Sequence, residues 1–428
     1  MTIVHGFPYS EIQFNKTGEV HDQDEIDALE GELDQGVTDL LVLSHGWNND
    51  METARRLYDK LLKKLRQRVE ADGDLGAGRK TAVLGVLWPS KKFAASALIA
   101  SGAASTGAQI ATEDLEQQID SLKGGFDSDD ADQILERLRG LAPMIEDSKT
   151  DQDEFYDLAL QLLDENALDE EITEEVPTGW AGIEGRDALD ELSKPDLSAT
   201  MSGGQADAAA FGFLSGITGA AQSLLNLLTF YQMKHRAGVV GEHGLHDVLL
   251  GVRAAHPTVK IHLVGHSFGA RLVTAAVRGT DVAPSLEVRS LTLLQAAFSH
   301  NGLAQKNKNT DDGYYRIVID EGRVSGPTAI THTENDKAVG IAYPLASRLK
   351  PVNAAAIVGG ADDPYGGMGR NGAQNTPGAE QSTLEPKGHA YAFTEGKVHN
   401  LKADNQISDH GDVANQAVAS AILSVMKT

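Results

Sequence analysis

The chain has 428 residues, of which 41% are hydrophobic and 23% charged, a balance typical of a globular protein with a sizeable core and not of a disordered chain. Its formal net charge of −25 argues against nucleic acid and anionic membranes as partners, because both would repel the average surface of the protein. The sequence has no cysteine, which excludes thiol catalysis, thiolate metal sites and disulfide bonds.

The first ten residues, MTIVHGFPYS, do not have the features of a secretory signal. Such a signal begins with basic residues, continues with an apolar run and ends at a cleavage site of small residues. The sequence therefore predicts a cytoplasmic protein without a signal peptide.

Short apolar runs bounded by polar or turn residues predict buried parallel strands. These runs are residues 39–44, 82–87 and 259–264, followed by 290–294, 328–331 and 398–401. Helical patterns such as 51–69 and 245–255 lie between the strands. This alternation predicts an α/β fold, with a mostly parallel sheet flanked by helices on both faces.

Residues 91–235 interrupt the alternation and predict a large, mainly helical insertion. Its middle part is acidic and contains amphipathic patterns at 131–141 and 154–163, which are typical of surface helices. The predicted domains are therefore an α/β core formed by 1–90 and 236–428, and a helical insertion formed by 91–235.

Two segments without any charged residue, 93–111 and 208–233, flank the acidic middle of the insertion. The second is long enough to span a bilayer, but the Gly, Ser, Thr and Gln content of both segments disfavours a membrane span. We expect a pair of buried or pocket-lining helices. A lid that binds reversibly to a membrane surface is the next alternative, and a transmembrane helix the last.

A glycine-rich stretch at 359–378 predicts a long irregular loop, of the kind that is often functional or disordered. A phosphate-binding loop is a weaker alternative, because no helical pattern follows the glycines.

Residues 259–278 combine a strand, a G-x-S-x-G turn and an amphipathic helix in direct succession. This order places a serine on a sharp turn, where flanking glycines avoid collisions between the strand and the helix. Ser267 is therefore the predicted nucleophile, and Gly265 and Gly269 are the supporting glycines. We expect His266 to be structural and to point away from the serine. The alternative is a Rossmann-like turn in which Ser267 only caps the helix.

On this motif and its context, the chain resembles the α/β-hydrolase superfamily, in its lipase and esterase-like branch, over residues 39–90 and 236–428. The resemblance implies an α/β-hydrolase fold in which the helical insertion serves as a lid or cap. It also implies an oxyanion hole after the first strand, where His45 and Gly46 turn the chain and the backbone N–H of Trp47 faces the nucleophile. The N–H of Phe268 would be the second donor. The sequence differs here from the H-G-G-G form, and a strand-ending turn with a packed tryptophan is the alternative.

In this family the acid and the histidine follow the serine in chain order. Asp336 comes after the strand at 328–331, where the resemblance implies the acid, and Glu334 is the fallback. His410 lies in a loop before the helical run 413–426, where the resemblance implies the general base.

Other assignments of the late histidines remain open. His389 and His399 are also late in the chain, and His410 could be a surface residue that caps a helix. A metal site formed by Asp409, His410 and Asp412 is a further alternative, although its spacing matches no recognised zinc pattern.

Together these residues predict a serine hydrolase that cleaves carboxylic esters without a cofactor or a metal. The uncharged helices predict a small-molecule or lipid-like substrate with an apolar acyl group. Peripheral membrane contact through the lid is an alternative. A serine peptidase or amidase that uses the same triad is one alternative. A membrane-associated, phospholipase-like effector or interaction protein that acts through the insertion is another. The oligomeric state stays open.

Overall fold

The structure is a computed structural model that describes residues 2–47, 49–72, 76, 78–90, 108–163, 182–194, 216–308, 310–339 and 366–428. The chain divides into two compact units. The first comprises Met1–Lys91, Arg236–Val339 and Gly367–Thr428, and the second comprises Lys92–His235 and Gly340–Gly366. The breaks after residues 91 and 235 lie within one residue of the domain boundaries expected from the sequence. The second unit also takes in Gly340–Gly366, a stretch that the sequence analysis assigns to the core.

A nine-stranded sheet forms the centre of the first unit. Its strands are β1 (Thr2–Val4), β2 (Phe7–Gln13), β3 (Asp39–Ser44), β4 (Thr81–Leu87), β5 (Lys260–His266), β6 (Ser290–Leu294), β7 (Thr328–His332), β8 (Glu380–Thr383) and β9 (Val398–Lys402). They lie in the order β1-β2-β4-β3-β5-β6-β7-β9-β8. Only the pairing of β1 with β2 is antiparallel among these strands, which confirms the prediction of a mostly parallel sheet in an α/β protein.

All six strands predicted from apolar runs are present. The bounds of β3 and β6 agree with the prediction, and those of β4, β7 and β9 differ by one residue at one end. β5 begins one residue later and ends two residues later than predicted. The apolar runs of the sequence do not predict β1, β2 and β8. β2 contains Pro8 and is only partly buried, and all four residues of β8 are exposed, so neither strand has the apolar run that marks a buried parallel strand.

Helices flank this sheet in the first unit. They are α1 (Gln23–Leu33), α2 (Met51–Asp72), α8 (His246–Ala255), α9 (Phe268–Arg278), α10 (Arg316–Asp320), α11 (Met368–Asn371) and α12 (Gln416–Lys427), and a π-helix (Val240–Leu245) precedes α8. The second unit contains α3 (Ala108–Ser121), α4 (Ala131–Leu141), α5 (Lys149–Leu160) and α6 (Gly185–Ser193). Helix α7 (Gly216–Val239) begins in the second unit and ends in the first.

One face of the sheet is covered by α2 and α12. Tyr58, Leu61 and Leu65 recur at helical spacing along α2 and share a buried cluster with Ile422 and Val425 of α12. Leu41, Leu43, Val83 and Leu87 contribute the sheet side of that cluster. Alternating strand residues and an i, i+3, i+4 helical pattern therefore meet in one apolar layer, which is the packing that their spacing predicts.

The predicted helices are confirmed where the structure describes them. Helix α4 has the expected bounds, and α2 continues three residues further than expected. Helix α5 begins earlier, at Lys149, because Ser148 caps its first turn by accepting from the N–H of Asp151, and it ends three residues earlier than expected, at Leu160. Helix α12 begins three residues later than expected, where the side chain of Asn415 caps it.

Part of the two uncharged segments lies outside the described residues. Residues 93–107 and 208–215 are not described, whereas 108–111 belong to α3 and 216–233 belong to α7. Residues 359–365 of the glycine-rich loop are also outside the description, and its second part contains the short helix α11. No helix among the described residues is both long and apolar enough to cross a membrane.

A buried polar network joins three strands at the amino end of the sheet. The carboxylate of Asp39, which begins β3, accepts hydrogen bonds from Thr38 Oγ1 (2.6 Å), from the guanidinium of Arg79 and from His262 Nε2 (3.1 Å). On its other side the ring of His262 accepts from the hydroxyl of Ser290 (2.7 Å). Burial alone would raise the pKa of Asp39, but the bonds from Arg79, His262 and Thr38 outweigh it and hold the pKa below its usual range.

We expect Asp39→Asn to lower the free energy of unfolding by roughly 3 kcal/mol at pH 7. The substitution removes the negative charge of the carboxylate and leaves its buried hydrogen-bonding partners without that charge. Since the folded-state pKa is depressed, the contribution of Asp39 is fully present above the unfolded-state pKa of about 3.9 and is lost as the pH falls below it. The difference between the wild type and the variant should therefore be smaller at pH 3 than at pH 7. Urea denaturation followed by tryptophan fluorescence at the two pH values measures it.

Glu52→Gln is the matched control, because Glu52 is exposed and pairs only across one turn of α2 with Arg56. Such surface pairs contribute about 0.5 kcal/mol or less. An Asp39→Asn variant no less stable than this control, or a difference that does not change with pH, would contradict the proposed role of the network.

Candidate active site

Ser267 lies on a strained turn between β5 and α9. Its backbone has φ 58° and ψ −124°, a conformation that residues with a side chain rarely adopt. A Cβ added at Gly265 would overlap the backbone of Gly269 and Ala270, and one added at Gly269 would overlap the carbonyl oxygen of Ser44. Both glycines of the motif are therefore needed for the close approach of strand, turn and helix, as the sequence predicts.

The end of the neighbouring strand β6 and the segment that follows it hold this turn in place. The N–H of Ser267 donates to the carbonyl oxygen of Leu294 (3.0 Å), and the carbonyl oxygen of Ser267 accepts from the N–H of Ala297 (3.2 Å). Both the N–H and the carbonyl group of the strained residue are therefore held by hydrogen bonds.

The structure brings the serine, the acid and the histidine of the sequence analysis together. Ser267 Oγ lies 2.8 Å from His410 Nε2, and His410 Nδ1 lies 2.8 Å from Asp336 Oδ2. Because the ionised carboxylate can only accept, Nδ1 carries the proton and Nε2 is free to accept from the serine hydroxyl. Asp336 lies in the loop after β7, and His410 lies in the loop after β9.

The alternative residues lie elsewhere. Glu334 is 70% exposed in its side chain and pairs with Lys402 (2.9 Å), so it does not replace Asp336. His389 is exposed and packs against the ring of Tyr391. His399 lies within β9, where its Nε2 contacts the backbone of Thr394.

The carboxylates of the alternative metal site are engaged within their own loop. Asp409 accepts from the N–H of Gly411 (2.8 Å), and Asp412 accepts from the N–H (3.2 Å) and the hydroxyl (3.1 Å) of Ser408. No group of three or more histidine, aspartate or glutamate side chains is arranged to hold a metal ion in the described part of the chain.

Gln295 is a site residue that the sequence analysis missed. It is fully buried directly after β6, with a positive φ of 47°, and its Nε2 donates to Asp336 Oδ2 (3.3 Å) and to the carbonyl oxygen of Gly369 (3.1 Å). The hydroxyl of Thr331 accepts from the backbone N–H of Gln295, so it donates to Oε1 (3.0 Å). This fixes the orientation of the amide, with its NH₂ group toward the carboxylate. Val339 donates its N–H to the other carboxylate oxygen (3.0 Å).

His266 supports the loop that carries His410. Its Nε2 lies 2.8 Å from the carbonyl oxygen of His410, and the two rings are 5.0 Å apart. Burial, together with the neighbouring imidazole of His410, lowers the pKa of His266 to about 3. The ring is therefore neutral at pH 7, and Nε2 carries the proton that it donates to the carbonyl oxygen.

The loop after β3 lies against the serine. A Cβ added at Gly46 would be 2.6 Å from the Cβ and 3.1 Å from the Oγ of Ser267, so only glycine fits at this position. The ring of Trp47 packs at a tilt against that of Phe268, with 6.1 Å between the centroids. The two residues predicted to donate backbone N–H groups to an oxyanion are therefore neighbours.

His45 is fully buried and stacks on Trp88, with 5.5 Å between the ring centroids. The N–H of Trp88 donates to His45 Nε2 (3.3 Å), and the indole Nε1 donates to the carbonyl oxygen of His45 (2.9 Å). His45 Nδ1 therefore carries the ring proton and donates to the carbonyl oxygen of Gly46 (3.0 Å). Burial lowers the pKa of His45 to about 4.

Comparison with known proteins found no protein-family model, no curated protein and no solved structure that matches the chain. The function therefore has to be inferred from the residues themselves.

We expect His45 and His266 to stay neutral between pH 5 and 9, since burial lowers the pKa of both. The ring of His45 should carry its proton on Nδ1 and that of His266 on Nε2. Two-dimensional ¹H–¹⁵N spectra of the imidazole rings over this range measure both properties, with His45→Asn and His266→Asn to assign the signals. A titration midpoint near the reference value of about 6.5 for either ring would contradict the expectation.

Proposed function

We propose that the protein is a serine hydrolase that cleaves carboxylic esters through an acyl-enzyme intermediate. The observation that carries the proposal is the hydrogen-bonded series Ser267–His410–Asp336, with 2.8 Å at each step between residues that are far apart in the sequence. Nucleophile, base and orienting carboxylate at hydrogen-bonding distance form the arrangement that activates a serine hydroxyl.

In the first half-reaction, Ser267 Oγ attacks the ester carbonyl carbon while its proton moves to His410 Nε2. The electron pair of the carbonyl bond moves to the carbonyl oxygen, which becomes an oxyanion. When the tetrahedral intermediate collapses, the bond to the alkoxy group breaks, and the leaving oxygen takes the proton from Nε2. The products of this step are an alcohol and an acyl group bonded to Ser267 Oγ.

In the second half-reaction, a water molecule takes the place of the alcohol. It gives one proton to His410 Nε2 as its oxygen attacks the acyl carbon and forms a second tetrahedral intermediate. When this intermediate collapses, the bond between the acyl carbon and Ser267 Oγ breaks, and Oγ takes the proton back from Nε2. A carboxylic acid leaves and the enzyme is restored. Asp336 remains ionised throughout, orients the imidazole and stabilises the imidazolium.

The backbone N–H groups of Trp47 and Phe268 are the proposed donors to the oxyanion. Their support is the packing of Gly46 directly against Ser267 and the start of α9 at Phe268, where the positive end of the helix dipole favours negative charge. One such donor is typically worth about 3 kcal/mol in the transition state.

We further propose that the chain has the α/β-hydrolase fold and that its helical insertion is a lid or cap. The strand-turn-helix at Ser267 and the chain order of serine, aspartate and histidine support the fold assignment. The absence of charged residues from 93–111 and 208–233 supports substrates with apolar acyl groups, either small molecules or lipid-like esters. The mechanism draws on side chains and backbone groups and implies no cofactor.

Ser267→Ala should abolish ester hydrolysis, with a loss in kcat of about 10⁶-fold, because the variant has no nucleophile. A p-nitrophenyl ester assay and labelling with a fluorophosphonate probe measure the effect. Ser285→Ala is the control, because Ser285 is exposed and should be dispensable. A Ser267→Ala variant that is still labelled, or a wild-type protein that is neither labelled nor active on esters, would overturn the proposal.

Gln295→Leu should lower kcat about 10-fold with little change in KM, because Asp336 Oδ2 loses a donor and the carboxylate is held less firmly. Gln295→Glu can donate only while the new carboxyl is protonated. Its activity relative to the wild type should therefore be greater at pH 6 than at pH 8. Steady-state kinetics at both pH values measure the effects, and urea denaturation shows whether the variants are folded. A wild-type kcat in Gln295→Leu would contradict the role of this amide.

A further inference from the structure

The peptide group between Gly46 and Trp47 is held by two side chains. Its carbonyl oxygen accepts from His45 Nδ1 (3.0 Å) and from Asn49 Nδ2 (2.9 Å). The same NH₂ group of Asn49 also donates to the carbonyl oxygen of Trp47 (3.1 Å). Since an amide NH₂ has two hydrogens, Asn49 can serve both carbonyl groups at once.

The segment after β4 fixes the two side chains that hold this peptide. Trp88 sets the tautomer and the plane of the His45 ring, as described above. The hydroxyl of Ser90, which is fully buried, accepts from the backbone N–H of Asn49 (3.3 Å) and donates to its carbonyl oxygen (2.9 Å). Asn49 is therefore held at its backbone as well as through its amide.

The direction of the carbonyl group determines the direction of the Trp47 N–H. A trans peptide is planar, and its C=O and N–H bonds point to opposite sides. Rotation of the peptide plane would move the Gly46 carbonyl oxygen away from both His45 and Asn49, so each of the two bonds restrains the plane and the loss of either one loosens it. The Cα of Gly46 is at the same time packed against Ser267, which fixes the distance of this peptide from the nucleophile.

We propose that Asn49 is a positioning residue for the oxyanion hole, which holds the Gly46–Trp47 peptide so that the Trp47 N–H faces the oxygen of the tetrahedral intermediate. The proposal rests on the proposed function, since it gives Asn49 a role in stabilising the charge that forms when Ser267 attacks. Asn49 does not touch the reacting atoms. It acts by preventing rotation of a donor that would otherwise have to be oriented during the reaction.

The experiment compares Asn49→Ala and Asn49→Asp with the wild type. Both substitutions remove the two donated bonds, and Asp additionally places an acceptor against the Gly46 carbonyl oxygen. We expect kcat on a p-nitrophenyl ester to fall about 10- to 100-fold, with KM within about threefold of the wild type, because a misdirected donor mainly affects the transition state. The rate of fluorophosphonate labelling should fall by a similar factor, since attack of Ser267 Oγ on phosphorus, with loss of fluoride, develops negative charge on the phosphoryl oxygen in the same position.

Two further measurements separate positioning from a general loss of structure. The pH midpoint of kcat/KM should be unchanged, because Ser267, His410 and Asp336 keep their contacts. Urea denaturation should show that the variants are folded at the assay temperature. Asn307→Ala is the matched control, because Asn307 is an exposed loop asparagine, and it should keep wild-type rates.

The outcomes distinguish the two proposals. A wild-type protein that the probe does not label at Ser267 overturns the hydrolase and the role of Asn49 together. A labelled wild type whose Asn49 variants are labelled and turn over at the same rate overturns the role of Asn49 alone. A shifted pH midpoint in the variants also overturns it, since the change would then lie in the acid and base and not in the oxyanion donor.

Discussion

The geometry of the site depends on how closely three backbone segments approach one another around Ser267. Gly265 and Gly269 allow the end of β5 to pass directly into α9, and Gly46 allows the loop after β3 to lie against the serine side chain. A residue with φ 58° is strained by about 1 to 3 kcal/mol, and the bonds from Ser267 to Leu294 and Ala297 hold it there. Because these segments meet at the carboxyl ends of adjacent parallel strands, the nucleophile and its proposed oxyanion donors are positioned by the sheet.

A second set of serine, histidine and aspartate side chains shows why this close approach of backbone segments matters. Asp39, His262 and Ser290 also form a hydrogen-bonded series, but they lie at the other end of the sheet, within regular strands, and each is at most 1% exposed. Ser290 has no sharp turn to present its hydroxyl, and its neighbours cover it. The hydrogen bonds of that network connect neighbouring strands of the sheet. The chemistry proposed for Ser267 therefore follows from its turn and its surroundings, and not from the presence of serine, histidine and aspartate alone.

The sequence predicted the features that depend on local patterns. Apolar runs predicted the six central strands, and the G-x-S-x-G turn between strand and helix, with chain order, pointed to Ser267, Asp336 and His410. Edge strands β1 and β8 lack such runs. Gln295 and Asn49 were missed for a different reason: each acts through an amide whose partners lie elsewhere in the fold or on the backbone, and neither position has a periodicity or a motif. A polar residue directly after an apolar strand, as at Gln295, is the one sequence signal that could have directed attention to it.

The supporting residues share a property that bears on the proposed catalysis: they hydrogen-bond to the residues of the site without adding charge to it. Gln295 and Asn49 donate through neutral amides. Burial is the main reason that the pKa of His45 is lowered to about 4 and that of His266 to about 3, so both rings are neutral near pH 7. In the proposed mechanism neither ring therefore competes with His410 for the proton of Ser267, although the ring centroids of His266 and His410 are only 5.0 Å apart. Each neutral ring also has one fixed tautomer, which makes it a donor to a particular carbonyl group. Low dielectric surroundings thus keep two imidazoles as rigid hydrogen-bond donors and leave the proposed proton transfer to the third.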